Sequence, residues 1–385
     1  MKKTKQVFWG VDMIGLSETH IGKEEETAVL QVLHKGWFSQ GEITAEFENS
    51  FAEFHDIPEA IAVGNCTQGL HLALAASGIS DGDEVLVPSV TFIATINAVL
   101  YTGATPVPID NSTIYTPHMS IVEAEKRLTP QTKAIIIMHY AGYRMDIPAW
   151  KKFADTHGLL LFEDAAHAPG LESVGKVSHA AIFSFFANKN MTTAEGGMIL
   201  CHDHSLAQRL RLLRAHGMTA TTLTRAQGHA FSYDITELGW NYRIDEIRSA
   251  IGLAQLKKLK FFNEKRMELA YIYYNYLKNN DFITLPFSSD HISVHHLFTL
   301  LLSPKINRKH VMQNLRENGI QTSIHYPPYH KFSWHRKIFS NVELPKADFW
   351  CANTLTLPLH PGLTAQDIRA VVENLQKSCE LFKNK

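Results

Sequence analysis

Apolar positions recur at helical spacing early in the chain: Val29, Val32 and Leu33 fall at i, i+3 and i+4, and Gly36 follows as a stop signal. Phe47, Phe51 and Phe54 mark a second helix. The pattern then changes, and short apolar runs alternate with helical stretches. Ala60–Val63 reads as a strand feeding a helix over Thr67–Ala76, and Glu84–Val87 and Thr105–Ile109 read as further strands. Ala134–Met138 and Leu159–Phe162 are unbroken apolar runs. Strands that are apolar on both faces belong to a parallel sheet covered by helices, since a sheet with one wet face would alternate. The fold class is therefore α/β. In such sheets ligands collect at the carboxyl ends of the strands, where His139-Tyr140, Glu163-Asp164 and Asn65-Cys66-Thr67 fall.

Beyond about residue 250 the character shifts. Ser249–Leu277 predicts one long helix, followed by a strand over His296–Leu302 and a helix over Arg308–Asn318 with Gly319 as its C-cap. We read residues 1–255 as a large domain that includes an N-terminal segment, and 256–385 as a smaller α+β domain.

A chain of 385 residues has room for a large core and about two domains. With a formal net charge of -1, bulk attraction to nucleic acid or an anionic membrane is not expected. No apolar run reaches the roughly 18 residues of a membrane span. The opening MKKTKQVFWGVDMIG is basic, but Gly10 and Asp12 interrupt its apolar run, so it does not read as a signal peptide. Four scattered cysteines without a CxxC pair suit a reducing, cytoplasmic setting.

One lysine stands out. Lys189 follows the apolar and aromatic run Ile182–Ala187 and precedes a Thr/Glu/Gly-Gly turn. Burial lowers an amine's pKa and makes it a nucleophile able to form Schiff bases. Asp164 closes the preceding apolar run, in LFEDAAHA; alone it would read as a helix N-cap. No His/Cys/Asp set with metal spacing accompanies it, so no metal is expected. A buried lysine and a carboxylate for a cationic ring nitrogen are the minimum that pyridoxal phosphate (PLP) requires. Asn65–Gly69 turns from strand into helix and offers backbone amides and the Thr67 hydroxyl to an anion, or simply caps the helix at Thr67. Ser184 is a second hydroxyl within reach in sequence, and Phe92 is either a ring-covering aromatic or, more conservatively, a core side chain.

Together these segments resemble the DegT/DnrJ/StrS family of sugar aminotransferases, PLP enzymes of the aspartate-aminotransferase fold type. The resemblance runs from about Gly15 to the C-terminus through GWFSQGEITAEFENSFAEF, AVGNCTQGLHLALAASGISDGDEVLVPSVTFIAT, LFEDAAHAPG, FSFFANKNMTTAEGGMIL, LGWNYRIDEIRSAIGLAQL and GIQTSIHYPPYH. It implies a large domain with a mostly parallel sheet and a smaller C-terminal domain. It makes Lys189 the Schiff-base lysine, Asp164 the pyridinium partner and His167 a neighbour of the cofactor's phenolic oxygen. Cys66, Thr67 and Ser184 fall at phosphate positions, Phe92 at the ring face, and His325 and Tyr326 near the substrate end. Asn241 matches an asparagine that reaches the neighbouring subunit's phosphate, which implies a homodimer with a shared site. Two positions depart from the pattern: Asn65-Cys66-Thr67 stands where Ser-Gly-Thr is frequent, and Ala194 where glycine is frequent.

The implied reaction moves an amino group from L-glutamate to a keto sugar, with a nucleotide-linked 4-keto-6-deoxyhexose favoured over a 3-keto sugar. A ketocyclitol is the main rival acceptor. A sugar dehydratase would replace the lysine with histidine, and a desulfurase would need a cysteine in a mobile Gly/Ser-rich loop. Cys201–His204 reads as a polar turn rather than a metal site, His295-His296 as half-buried strand, and Lys257–Arg266 as the wet side of a helix with Leu253, Leu256 and Phe261 on its apolar stripe.

Overall fold

The computed structural model of the chain describes residues 7–8, 11–220, 228 and 232–383. A seven-stranded sheet forms its centre, from β1 (Glu59–Val63), β2 (Glu84–Pro88), β3 (Thr105–Ile109), β4 (Thr132–Met138), β5 (Leu160–Asp164), β6 (Ala180–Ser184) and β7 (Gly197–Cys201). Their spatial order is β1-β7-β6-β5-β4-β2-β3. Neighbours are parallel throughout except at β7, which runs against both β6 and β1.

Alternate side chains of each strand enter different cores, which is why the strands are apolar without a break. Ile135 and Ile137 join Phe47, Phe51, Leu161 and Phe183 on one face. Ala134 and Ile136 join Leu70, Val85, Phe162 and Ile182 on the other. Helix Glu42–His55 covers the first face, and helices Cys66–Ala76, Ile93–Tyr101 and His204–Leu213 cover the second.

The long helix spans Glu246–Leu277 and begins where Asp245 accepts the Arg248 N–H. Its last turns put Leu269, Tyr273 and Leu277 into a third core. That core is shared with a three-stranded antiparallel sheet (Ile283–Thr284, Phe298–Leu302, Thr354–Leu357) and with helices Arg308–Glu317 and Ala365–Leu381. Gly36 and Gly319 take the left-handed conformation expected after a helix end. No helix among the described residues is long and apolar enough to cross a membrane.

Three readings of the pattern need correction. Phe261 is 55% exposed, while Phe262 is buried and Arg266, assigned to the wet side, is only 2% exposed. At about 100° per residue Phe261 stands far round the helix from Leu256, whereas Leu259 and Phe262 follow Leu256 at the i+3 spacing of one face. His295 and His296 precede the strand, which starts at Phe298, and both are buried. Leu33 and Phe54 match the helical period yet stay largely exposed.

Candidate active site

The reversed strand β7 sets the position of Lys189. Ser184 pairs with Gly197, and Gly197 pairs in turn with Val63. The connection 185–196 therefore emerges at the edge where β5 ends in Asp164 and where β1 leads into Asn65. Backbone bonds hold the loop: Phe185 N–H to Gly196 O, Thr193 N–H to Phe185 O, and Lys189 N–H to Phe186 O, each at 2.9 Å. Ala194 sits at φ 67°, a left-handed backbone that explains why glycine suits this position. A Cβ on Gly197 would come within 2.9 Å of Cys66 N and of Phe183 O, so the helix start can approach β7 only because that residue is glycine.

Lys189 keeps some accessible surface, but its amine is desolvated. Burial lowers its pKa to about 8, against the opposing pull of Cys66 and Asp164. Its charge in turn acts on Cys66, Asp164, His167, His296 and His325, so the fold gathers these groups around one amine.

Asp164 is 3% exposed. Thr95 donates its hydroxyl to Oδ2 at 2.6 Å and Ala166 its N–H to Oδ1 at 3.1 Å. No helix follows, so the N-cap reading does not apply. Burial pushes the carboxyl pKa up; the two hydrogen bonds and Lys189 oppose that. A cationic ring nitrogen would supply the missing counter-charge.

The N-cap of helix Cys66–Ala76 is Asn65, whose Oδ1 accepts from Gln68 N–H at 2.9 Å. Thr67 is therefore the second residue of the helix, within its first turn, and not its cap, which leaves its hydroxyl for an anion. Cys66 is buried, its thiol pKa is raised well above the ordinary value by burial, and it points weakly at Ile182 O. Ser184 is buried at the end of β6, with Phe186 N–H on its hydroxyl at 3.4 Å.

His167 is buried and its pKa is lowered well below 6.5, first by burial and then by Lys189, so it is neutral. Ala141 N–H donates to Nδ1 at 3.1 Å, which places the ring proton on Nε2, 3.0 Å from the Tyr326 hydroxyl. Tyr326 Oη thus accepts from His167 and keeps its own proton to donate. His325 Nδ1 meets the Thr356 hydroxyl at 2.8 Å. Phe92 is 55% exposed beside Tyr326, at 5.9 Å between ring centroids, so the core reading of Phe92 is wrong. Asn241 is exposed and stands outside the cluster; its backbone bridges to Ala215 while Tyr242 O accepts Gly64 N–H.

Sequence reasoning missed Thr95 and His296. Thr95 is a lone hydroxyl on an otherwise apolar helix face, which was the available signal. His296 lies 4.4 Å from the His167 ring, and its Nδ1 bonds Asn190 Oδ1 at 3.0 Å. Asn190 donates to Asn263 Oδ1 and Val294 O, which ties the residue after Lys189 to the long helix and to the segment leading into the smaller sheet.

A desolvated lysine amine, a buried carboxylate opposite and a helix N-terminus at one sheet edge could hold an aldehyde, a pyridinium and a phosphate in that order. This is the layout of a PLP-dependent aminotransferase. The model of the DegT/DnrJ/EryC1/StrS aminotransferase family matches residues 19–376, and the chain belongs to that family. The uncharacterised protein MJ1066 of Methanocaldococcus jannaschii is 34% identical over 368 residues, 93% of this chain and 95% of that one. Helicobacter pylori PseC, an aminotransferase of pseudoaminic acid biosynthesis, is 30% identical with a TM-score of 0.89 over 96% of this chain and 100% of its own. DesV of S. venezuelae, solved with a ketimine intermediate, is 32% identical with a TM-score of 0.85 over 93% and 94%. The family and these solved neighbours are sugar aminotransferases that depend on PLP, and the chain is a member of that group with PLP as its cofactor.

Proposed function

We propose that the chain moves an amino group from L-glutamate to a keto sugar, with a nucleotide-linked 4-keto-6-deoxyhexose as the favoured acceptor. The single observation that carries this reading is the Lys189 amine, lowered to a pKa of about 8 and facing a buried Asp164. Bound PLP supplies the electron sink for the charge left when the donor's α-carbon loses its proton.

Lys189 would hold the cofactor, and its free amine would take the donor's proton and return one to the acceptor carbon. An amine poised near neutral pH serves in both directions. Asp164, fixed by Thr95 and Ala166, keeps the ring nitrogen protonated. The first amides of helix Cys66–Ala76, with the Thr67 and Ser184 hydroxyls, take the phosphate. Phe92 covers the ring, and neutral His167 stands by the phenolic oxygen. Tyr326 and His325 face the substrate end, where the free Tyr326 proton can orient a sugar oxygen.

The working unit in this reading is a cytoplasmic homodimer, with Asn241 reaching the partner's phosphate. The exposure of Asn241, whose side chain stands outside its own copy's cluster, supports this reading. Four buried free cysteines suit a reducing compartment. The third core draws its buried residues from 269–379 alone, which supports a smaller domain beyond a division near residue 255, although Val294, Tyr329 and Phe339 from beyond it pack into the two cores of the large sheet.

The test is a screen of holoenzyme and L-glutamate against nucleotide-linked 4-keto and 3-keto sugars and a ketoinositol, read by mass spectrometry. A new amine on the 4-keto sugar nucleotide is expected, and one confined to the ketoinositol would overturn the acceptor. Lys189→Ala is expected to lose turnover entirely; near-wild-type turnover in it would sink the assignment of the lysine.

A further inference from the structure

We propose that Glu18, His20 and His360 bind one divalent transition-metal ion of zinc-like chemistry, pinning the N-terminal segment to the loop after strand Thr354–Leu357. One ligand atom from each residue lies within 4.8 Å of the others. Two imidazoles and a carboxylate form a zinc ligand set with a fourth position open.

The cluster carries two marks of a ligand site. His360 is 4% exposed, yet its Nδ1 has no hydrogen-bond partner, and Glu18 Oε2 stands 3.5 Å away outside hydrogen-bonding geometry. Nε2 of His20 is likewise buried and unpartnered. An unmet buried nitrogen is costly unless something else satisfies it. The Gly15 backbone lies beside the His360 ring.

The second mark is a space shaped by glycine. A Cβ on Gly362 would lie 2.7 Å from Glu18 Oε2, 2.9 Å from His20 Cε1 and 3.2 Å from His360 Nδ1. The hollow between the three residues therefore exists because residue 362 has no side chain. Arg266 lies near enough to repel a cation somewhat. Its guanidinium is engaged with His296 O at 3.1 Å and Leu359 O at 2.7 Å, and the Glu18 charge offsets it.

The ion would act on structure rather than on the reaction. Thr19, between two of the ligands, donates its hydroxyl to Ala187 O at 2.8 Å, so the pinned segment braces the Lys189 loop.

Chelator-treated holoenzyme, titrated with Zn2+ or with Co2+ as a visible probe, tests this against His20→Gln and Gly362→Ala. Wild type is expected to take up one more equivalent than either variant and to show four-coordinate cobalt absorption. Its melting temperature should rise with Zn2+, while both variants bind at least tenfold more weakly. Equal uptake and an equal thermal response in all three proteins would overturn the site. Cofactor absorbance checks that each variant is folded, and Glu18→Gln replaces any variant that is not.

Discussion

A lysine amine costs little to charge in water and much to charge here, and that difference defines the residue scale. The Lys189 pKa falls from the ordinary 10.5 to about 8 because burial outweighs the favourable charges of Cys66 and Asp164. In the cofactor-free chain this makes a pH prediction with a fixed sign. Between about pH 8 and 10.5 the unfolded state holds a proton that the native state has shed, so stability rises with pH in that window. Compared with Lys189→Met, wild type should gain on the order of 2–3 kcal/mol from pH 7.5 to 10.5, measured by urea unfolding of both apo-proteins. A constant gap would mean that the amine is not desolvated. The role of Tyr326 also rests on residue-level geometry, since the proton on His167 Nε2 follows from Ala141 occupying Nδ1.

Elements place these residues. The sheet brings Asp164, Ser184 and the helix that starts at Cys66 to one edge, and reversing one strand adds Lys189 to that edge. The long helix supports the arrangement from behind. Gly252 on it faces Phe47 of helix Glu42–His55, and a Cβ there would meet the ring at 2.5 Å. Gly252→Ala should gain helix propensity but force the ring aside, for a net loss of about 1–3 kcal/mol. Thermal melting checks the sign; a stabilised variant would show that the contact can relax. The same helix shows where pattern reading fails. KKLKFFNEKR predicts a wet stripe well enough for Lys258 and Lys265, which pair with Glu24, Glu25 and Glu268. Arg266 departs because two segments, one leading into strand Phe298–Leu302 and one leaving strand Thr354–Leu357, pack over its position and each offers a carbonyl.

For the whole molecule the question is whether one copy completes a site. If Asn241 serves the partner's phosphate, Lys189→Ala and Asn241→Ala lie on opposite sides of each shared site. Mixed dimers of the two variants should then regain about half of a wild-type dimer's activity, through one intact site. Parent homodimers should show none and little, respectively. Failure of the mixture to exceed its parents would place Asn241 in its own subunit's site or in none. Sedimentation should show a dimer whatever the outcome of the mixing.

Much of this was legible in one dimension. Unbroken apolar runs imply strands covered on both faces, and the residues just past them are brought to one edge by any parallel sheet, so Lys189, Asp164 and Asn65–Thr67 could be picked out by position. Several motifs in order identified the family. Other features depend on partners remote in sequence. Asn65 rather than Thr67 caps its helix, Phe92 stands exposed beside Tyr326, and His296 joins Lys189 rather than filling a strand. Thr95 finds Asp164, and Glu18 and His20 meet His360 from the far end of the chain. Periodicity reports which face of an element is apolar, because that follows from its own geometry. Which polar atom meets which is settled only when separate elements pack, since hydrogen bonds and charges act over a few ångströms of space and not along the chain.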